Sequence, residues 1–190
     1  MATTARDETS PGSVVILSGP PGSGKSTVAE RLAATAPGPA VHFNADCFWD
    51  FIKSGFIPPW LPAAQRQNEV VMSVAAEAAA RFAAGGYQVY FDCVIGPWFL
   101  APFRQACDAR GLALVYIVLR PSLAVALRRA QGRGENALRT SGPIQSLHAQ
   151  FLDLGVFERH VIDNSELSPD ETIAAVRRAA GDQGFAFLPS

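Results

Sequence analysis

The sequence predicts an α/β fold in which helices cover both faces of a mostly parallel, five-stranded sheet. Short apolar runs alternate along the chain with segments of helical composition, the arrangement that gives parallel strands joined by crossover helices. The longest run, 112–119, is hydrophobic throughout, which is typical of a central parallel strand. With 190 residues, 48% of them hydrophobic, the chain is long enough to bury a substantial core, and wholesale disorder is excluded.

Short apolar runs between Gly, Pro and polar residues mark the strands. The first of them is rich in β-branched residues and ends at a Gly/Pro-rich turn. Five runs are expected to form the sheet, and a sixth, near the C-terminus, is a further strand candidate. In chain order the six are 14–17, 40–43, 87–91, 112–119, 160–162 and 185–188.

Seven segments between these strands predict helices, and several carry their own stop or start signals. Pro37 and Gly38 end the first helix, and Gly85 closes a long Ala-rich one. Ser168 is an N-cap candidate for the last helix, and Glu171 is in position for a capping box. In chain order the helices are 26–36, 46–54 (one or two turns), 63–84, 99–109, 122–130, 143–154 and 169–180. The polar residues 1–12 are expected to form a flexible tail.

The charge and cysteine content exclude several classes of protein. The formal net charge is −1, which argues against a dedicated nucleic-acid binder. Three cysteines without C-x-x-C spacing predict neither a disulfide framework nor a zinc site, and the three histidines show no metal-ligand spacing. The N-terminus lacks a signal-peptide core, and no apolar run reaches the roughly 20 residues that span a bilayer. We therefore expect a cytoplasmic protein without membrane or nucleic-acid partners.

The strongest motif follows the first strand and matches G-x-x-x-x-G-K-[ST], the pattern of a phosphate-binding loop. Glycines let the backbone N–H groups of such a loop converge on phosphate oxygens, and the following helix adds its positive N-terminal end. The lysine can reach the β- and γ-phosphates of ATP, and the hydroxyl after it can bind Mg²⁺. The candidate nucleotide-binding residues are Gly19, Pro20, Pro21, Gly22, Ser23, Gly24, Lys25, Ser26 and Thr27. Of the 16 basic residues only Lys25 and Lys53 are lysines, so the loop retains one in a chain that otherwise uses arginine.

Two classes of phosphate-loop protein, the GTPases and the remodelling ATPases, do not suit this sequence. A GTPase would need an N-K-x-D segment, which is absent, and a remodelling ATPase generally needs more chain. The sequence resembles the small phosphate-loop kinases, among them gluconate, shikimate and adenylate kinase, over roughly residues 14–180. It looks most similar to the chloramphenicol phosphotransferase and zeta-toxin-like branch. The resemblance implies the three-layer P-loop NTPase fold for residues 13–190.

Two acidic residues match the family by their position after a strand. An acid at the position of Asp46 faces the acceptor hydroxyl in these kinases, so the resemblance implies a general base or orienting group. A helix N-cap is the structural alternative for Asp46. Asp92 resembles a Walker B acid that holds Mg²⁺ directly or through water, together with Ser26. A backbone-bonding aspartate in a turn is the alternative for Asp92.

Basic residues of the fifth helix match another family feature, an Arg-x-x-x-Arg pair where a helix runs into a small mobile lid. Arg129 and Arg133 have this spacing, and the lid is expected at about 131–142. The resemblance implies that Arg129 packs on adenine and that Arg133 neutralises the transferred phosphoryl group. Arg128 could replace Arg129, and Arg139 is a weaker candidate. Residues 163–165, Asn164 among them, would contact the base from the loop after the fifth strand.

The acceptor region is the least informative part of the sequence. Aromatic residues cluster between 48 and 60, which suits a ring-bearing acceptor or simple packing on the core. Gly96 would allow close approach of a ligand beside Trp98, and Arg66 and Asn68 are further candidate contacts. The sequence thus predicts an ATP- and Mg²⁺-dependent kinase for an unidentified small alcohol, acting as a monomer or homodimer. The alternatives are a nucleotide-sensing module without a product and a zeta-toxin-like nucleotide-sugar kinase.

Overall fold

A six-stranded sheet forms the centre of the computed structural model, which describes residues 11–131 and 141–187. Five strands are parallel and lie in the order β2-β3-β1-β4-β5. Their bounds are β1 Val14–Ser18, β2 Ala40–Asn44, β3 Gln88–Asp92, β4 Leu114–Leu119 and β5 Val161–Ile162. The fold class predicted from the sequence is therefore confirmed.

Helices pack on both faces of this sheet, as expected. Their bounds are α1 Lys25–Ala34, α2 Asp46–Asp50, α3 Gln65–Ala84, α4 Leu100–Asp108, α5 Leu123–Gln131, α6 Ser141–Ala149 and α7 Pro169–Ala180. One buried cluster joins β-strand side chains to α1 and α7, and a larger one joins the opposite faces of the same strands to α3 and α4. Strand alternation explains the division, since Val15 and Leu17 belong to the first cluster whereas Val14 and Ile16 belong to the second.

The sheet contains one strand more than the five predicted to form it. The C-terminal candidate is a two-residue strand, β6 Ala186–Phe187, which pairs antiparallel with Leu114 and Val115 of β4. β5 pairs with the other end of β4, at Val118 and Leu119. The sheet is thus mostly parallel, with a short antiparallel addition at the amino end of β4.

The helix predicted at 143–154 ends earlier, at Ala149. After Ala149 the chain forms a tight turn, in which the N–H groups of Phe151 and Leu152 donate to carbonyls three residues back and not four. Arg120, just after β4, donates to the Phe151 carbonyl at 2.7 Å and to both carboxylate oxygens of Glu158 at 2.8 Å. This arginine supplies the partners that hold the turn in place of a continued helix.

The structure describes a part of each of the two stretches that the sequence predicts at the periphery, the tail and the lid. The Gly12 N–H donates to the Ala83 carbonyl at 2.8 Å, and a Cβ at Gly12 would lie 1.9 Å from the Tyr87 carbonyl oxygen. Gly12 therefore belongs to the packed domain and not to the tail, whose residues 1–10 lie outside the described part. Of the expected lid, Gln131 and residues 141–142 are helical, whereas 132–140 lie outside the described residues.

The carboxyl ends of the parallel strands meet at one edge, where ligands of open α/β sheets bind. The loop after β1, the last residue of β3 and the segment after β2 come together there, as the register places Leu17 beside Asp92 and Asp92 beside Asn44. None of the helices in the described ranges has the length and apolarity needed to cross a membrane.

Candidate active site

The phosphate loop joins β1 directly to α1 and has the backbone that its glycines predict. Gly19 has φ +140° and Gly22 has φ +84°, values that L-residues rarely adopt. A Cβ at Gly19 would lie 2.1 Å from the Leu119 carbonyl oxygen, and one at Gly22 would lie 2.1 Å from the Ala126 carbonyl oxygen. The loop is therefore pressed against the end of β4 and against α5. Two of its glycines are required by space as well as by conformation.

Lys25 is the first residue of α1 and is only 6% exposed. A buried ammonium group needs anionic neighbours, and it has one in Asp92, whose carboxylate feels the charge of Lys25. Ser26 follows and also contributes to holding that carboxylate ionised. The sequence's proposed phosphate-binding lysine and its two proposed magnesium ligands thus lie together.

Asp92 is the last residue of β3, and its side chain is 2% exposed. Burial alone would raise its pKa, but the neighbouring imidazole of His42, the charge of Lys25 and the neighbouring hydroxyl of Ser26 hold the pKa below the usual value for an aspartate. Its Oδ1 atom is buried and has no hydrogen-bond partner in the described part of the chain. The carboxylate is therefore ionised and has one oxygen available, the condition of a metal ligand.

Asp46 is the first residue of α2 and is exposed. The Asp46 N–H, at the start of this helix, donates to the side-chain oxygen of Asn44 at 3.0 Å. The Ala45 N–H donates to the Asp92 carbonyl at 3.1 Å, which ties the start of α2 to the end of β3. The N-cap position of α2 is Ala45, one residue earlier, so the alternative that places Asp46 at the N-cap is wrong.

The pKa of the buried Cys93 thiol is affected by the charges of Asp46, Asp92 and Lys25. Burial raises its pKa most, the carboxylates of Asp46 and Asp92 raise it further, and Lys25 lowers it. Three charged groups that were assigned from separate stretches of sequence therefore all act electrostatically on this one thiol. The high pKa also makes Cys93 an inert thiol.

A cavity of about 350 Å³ opens beside the phosphate loop. Arg129 lies in its wall and donates to the Asn164 carbonyl at 3.1 Å, and the Asn164 side-chain nitrogen donates to the Ser23 carbonyl at 2.9 Å. Arg128 is exposed on α5 and does not line this cavity. The lining consists of Gly22, Gly24, Thr27, Val28, Arg129, Asn164, Leu167, Pro169 and Thr172.

Arg129 and Asn164, both predicted to contact the nucleotide, line this cavity together. The contacts of Asn164 differ from those expected. Asn164 was expected to offer backbone groups to the base, but its buried side chain also anchors the phosphate loop. Arg133, expected to face the transferred phosphoryl group, lies outside the described residues, as does Arg139.

The aromatic acceptor segment divides into two sides. Phe48, Phe51 and Ile52 line an apolar groove of about 560 Å³ against α3. At about 100° per residue, these positions lie about 140–240° around the helix axis from Asp46, so the groove is on the far side of α2 from that acid. Trp49 lies on the near side, where its indole N–H donates to Asn68 at 3.0 Å.

Other expected acceptor contacts have structural roles. Asn68 is buried, and its amide donates to the Pro59 carbonyl at 2.8 Å, so it fastens the acceptor loop to α3. A Cβ at Gly96 would lie 2.1 Å from the Trp98 ring, so the space above this glycine belongs to that ring and not to a ligand. Arg66 is exposed beside Glu69 and lines the far groove.

Sequence reasoning missed two contributors to the site. His42 Nε2 lies 3.4 Å from Asp92 Oδ2. A signal was present in the sequence, since His42 lies two positions before Asn44 on β2, the strand that pairs in parallel with β3. Ser18, at the end of β1, accepts from the Ile95 N–H at 2.9 Å, and the Tyr116 hydroxyl donates to the Ile95 carbonyl at 2.7 Å. These contacts fix the loop that follows Asp92.

Within the described ranges, no group of three or more His, Cys, Asp or Glu side chains could hold a metal by itself. Mg²⁺ does not require such a group, because it is usually held by one or two carboxylates together with water and substrate phosphates. The hard oxygen donors of Ser26 and Asp92, with the unpartnered Asp92 Oδ1, fit that mode of binding.

The model of a family described as "AAA domain" matches residues 14–153. Among solved structures, a sugar kinase from Janibacter sp. HTCC2649 superposes with a TM-score of 0.68 at 19% identity, over 90% of this chain and 95% of that one. A gluconokinase from Sinorhizobium meliloti 1021 gives 0.60 at 21% identity, over 90% and 95%.

A shikimate kinase from Acinetobacter baumannii, in complex with shikimate, gives a TM-score of 0.55 at 18% identity, over 90% and 93% of the two chains. A search of curated protein sequences finds no match. At these identities the structural likeness establishes the fold, and the resemblance to small phosphate-loop kinases is confirmed at that level.

Proposed function

This chain belongs to the AAA domain family, and from that premise we propose that it is an ATP-dependent phosphotransferase that moves the γ-phosphate to a hydroxyl of a small molecule. The observation that carries the proposal is that the segment of Asp46 is tied to the end of β3, where the Ala45 N–H donates to the carbonyl of Asp92, while Lys25 of the phosphate loop acts on the Asp92 carboxylate. A loop that only binds nucleotide needs the lysine and one acid. The second, exposed acid is the feature that an acceptor hydroxyl would use.

The nucleotide end of the site has the parts that phosphoryl transfer requires. The loop from Gly19 to Gly24 would cradle the phosphates with its backbone N–H groups, and Lys25 would neutralise their charge. Ser26 and Asp92 would hold Mg²⁺, which when bound neutralises charge on the phosphate oxygens. The cavity beside Arg129 and Asn164 has a position suited to the adenine ring.

Asp46 is the proposed general base or orienting group. Phosphoryl transfer needs little covalent help, but a carboxylate within reach of the acceptor hydroxyl aligns it and takes its proton. Asp46 suits this task because it is exposed and follows Ala45, whose N–H donates to the Asp92 carbonyl at 3.1 Å. The assignment of Arg133 to the transferred phosphoryl group stays a prediction from the resemblance.

The acceptor proposed is a small alcohol. The kinases to which the fold is similar act, by their names, on a sugar, gluconate and shikimate. This similarity supports the reaction type, whereas fold alone does not fix the acceptor.

A screen of metabolites for acceptor-dependent ADP release tests the proposal. With the acceptor found, Asp46→Ala should bind ATP as the wild type does and lose transfer by about 10²-fold or more, the usual contribution of a general base. Asp50→Ala, one turn further along α2, is the control and should retain activity. Transfer at the wild-type rate by Asp46→Ala would refute the base assignment. Tight ATP binding with no acceptor in a broad panel would favour a nucleotide-sensing module instead.

A further inference from the structure

The two carboxylate oxygens of Asp92 have different surroundings. His42 Nε2 lies 3.4 Å from Oδ2, at the long end of the hydrogen-bond range. Oδ1 is buried and has no hydrogen-bond partner among residues 11–131 and 141–187. A buried carboxylate oxygen without a partner is costly in a finished structure, so this atom points to a ligand that completes the site.

The sheet explains how His42 reaches this carboxylate. β2 and β3 are parallel, with His42 opposite Tyr90 and Asn44 opposite Asp92. Side chains alternate along each strand, so His42 and Asp92 emerge on the same face of the sheet. From the α1 side, Lys25 and Ser26 act on the same carboxylate. Asp92 is therefore held between the edge strand and the phosphate loop.

A hydrogen bond to one carboxylate oxygen of an aspartate determines which oxygen faces a ligand. The terminal torsion of its side chain is broad and roughly two-fold, so the chain alone does not decide which oxygen faces a ligand. A hydrogen-bond partner that orients a metal-binding side chain typically contributes about 10–100-fold to metal affinity or activity. His42 has the place and the chemistry for this task.

We propose that His42 is a positioning residue for Asp92. Its Nε2–H donates to Oδ2 and thereby keeps Oδ1 turned toward Mg²⁺, or toward a water of that ion, at the phosphate loop. This inference rests on the proposed function, since that function assigns Asp92 to Mg²⁺.

The test is a titration of the full chain with a fluorescent ADP analogue, with and without Mg²⁺. We expect His42→Leu to bind the nucleotide normally without Mg²⁺ but to need about 10–100-fold more Mg²⁺ for the same gain in affinity. His42→Gln, whose amide N–H can donate to Oδ2, should restore most of the loss. Val41→Ala, the next residue on β2 and on its opposite face, is the control for a disturbed edge strand.

A double-mutant cycle decides whether His42 acts through Asp92. In the Asp92→Asn background, His42→Leu should have no further effect on the Mg²⁺ requirement. An equal loss in both backgrounds, or an unchanged Mg²⁺ requirement in a His42→Leu variant with the wild-type unfolding temperature, overturns the proposal. If His42→Leu does not fold, His42→Ala takes its place in the cycle.

These outcomes separate the two proposals. A wild-type chain that shows no Mg²⁺-dependent nucleotide binding would contradict the proposed function, and the role of His42 with it. A wild-type chain that binds normally while His42→Leu is unaffected would remove only the positioning role.

Discussion

Gly22→Ala should both destabilise the protein and weaken ATP binding. Gly22 has φ +84°, and a Cβ there would lie 2.1 Å from the carbonyl oxygen and 2.8 Å from the carbonyl carbon of Ala126. A left-handed conformation costs an L-residue about 1–2 kcal/mol, and relief of such an overlap typically costs about 1–3 kcal/mol more. For a chain of this length, each kcal/mol lowers the unfolding temperature by about 2–4 °C, so we expect a loss of roughly 4–20 °C.

The overlap acts on backbone, which cannot rotate away as a side chain could. Relief requires that the phosphate loop and α5 move apart, and Arg129 lies one turn beyond Ala126 on that helix. The wall of the proposed adenine cavity would move with it. We therefore expect a weaker ATP affinity beyond what the lower stability explains.

Gly111→Ala is the matched control for this prediction. Gly111 also has a positive φ, +62°, but a Cβ there would meet no atom within 4 Å among the described residues, its two chain neighbours apart. Its substitution should cost only the conformational part, about 1–2 kcal/mol, and leave ATP binding unchanged. Thermal unfolding followed by circular dichroism, with ATP affinity from calorimetry, measures both variants. Equal losses of unfolding temperature would refute the reasoning, because the contact with Ala126 would then impose no cost.

Two further predictions concern α5 and the buried histidine. Arg129→Ala should weaken ATP binding about 3- to 30-fold, as expected for a lost stacking cation, whereas Arg128→Ala should change it little; equal effects in a binding titration would contradict the assignment. Burial, helped by the charge of Arg159, lowers the pKa of His160 below its usual value. The unfolded chain then binds this proton more readily, so the free energy of unfolding should fall as the pH drops below about 6.5. Urea unfolding between pH 7.5 and 5 would measure this fall, and His160→Phe should flatten it; an unchanged slope in that variant would exclude His160 as its source.

The order of the elements and the phosphate loop could be predicted because their signals are local. A β-branched run, a glycine-rich turn and the Lys25–Ser26 pair follow one another within a short stretch of chain, and each has a conformational meaning of its own. The same holds for α7, whose bounds agree with the prediction because Ser168 and Glu171 form the capping box.

Features that depend on contacts between residues far apart in the sequence could not be predicted from local signals. Two residues of β6 have no periodicity, and they become a strand only through β4. The early end of α6 depends on Arg120, about thirty positions earlier in the chain. Asn164 acquires its role from a hydrogen bond to Ser23 across 141 positions. In each case the sequence contains the residue but not the contact that gives it a role.

The helical arrangement of α2 determines which aromatic residues of the acceptor segment lie on the same side of the helix as Asp46. The sequence shows only that Phe48, Trp49 and Phe51 are close together, and any of them could have faced Asp46. Because α2 begins at Asp46 and keeps helical torsions to Phe51, Phe48 and Phe51 face the apolar groove, whereas Trp49 lies nearer to Asp46 around the helix axis and donates to Asn68 of α3. If Asp46 acts as proposed, we expect the acceptor hydroxyl to approach from the side of α2 on which Trp49 lies. The large apolar groove follows from packing α2 on α3, and its size says nothing about the acceptor.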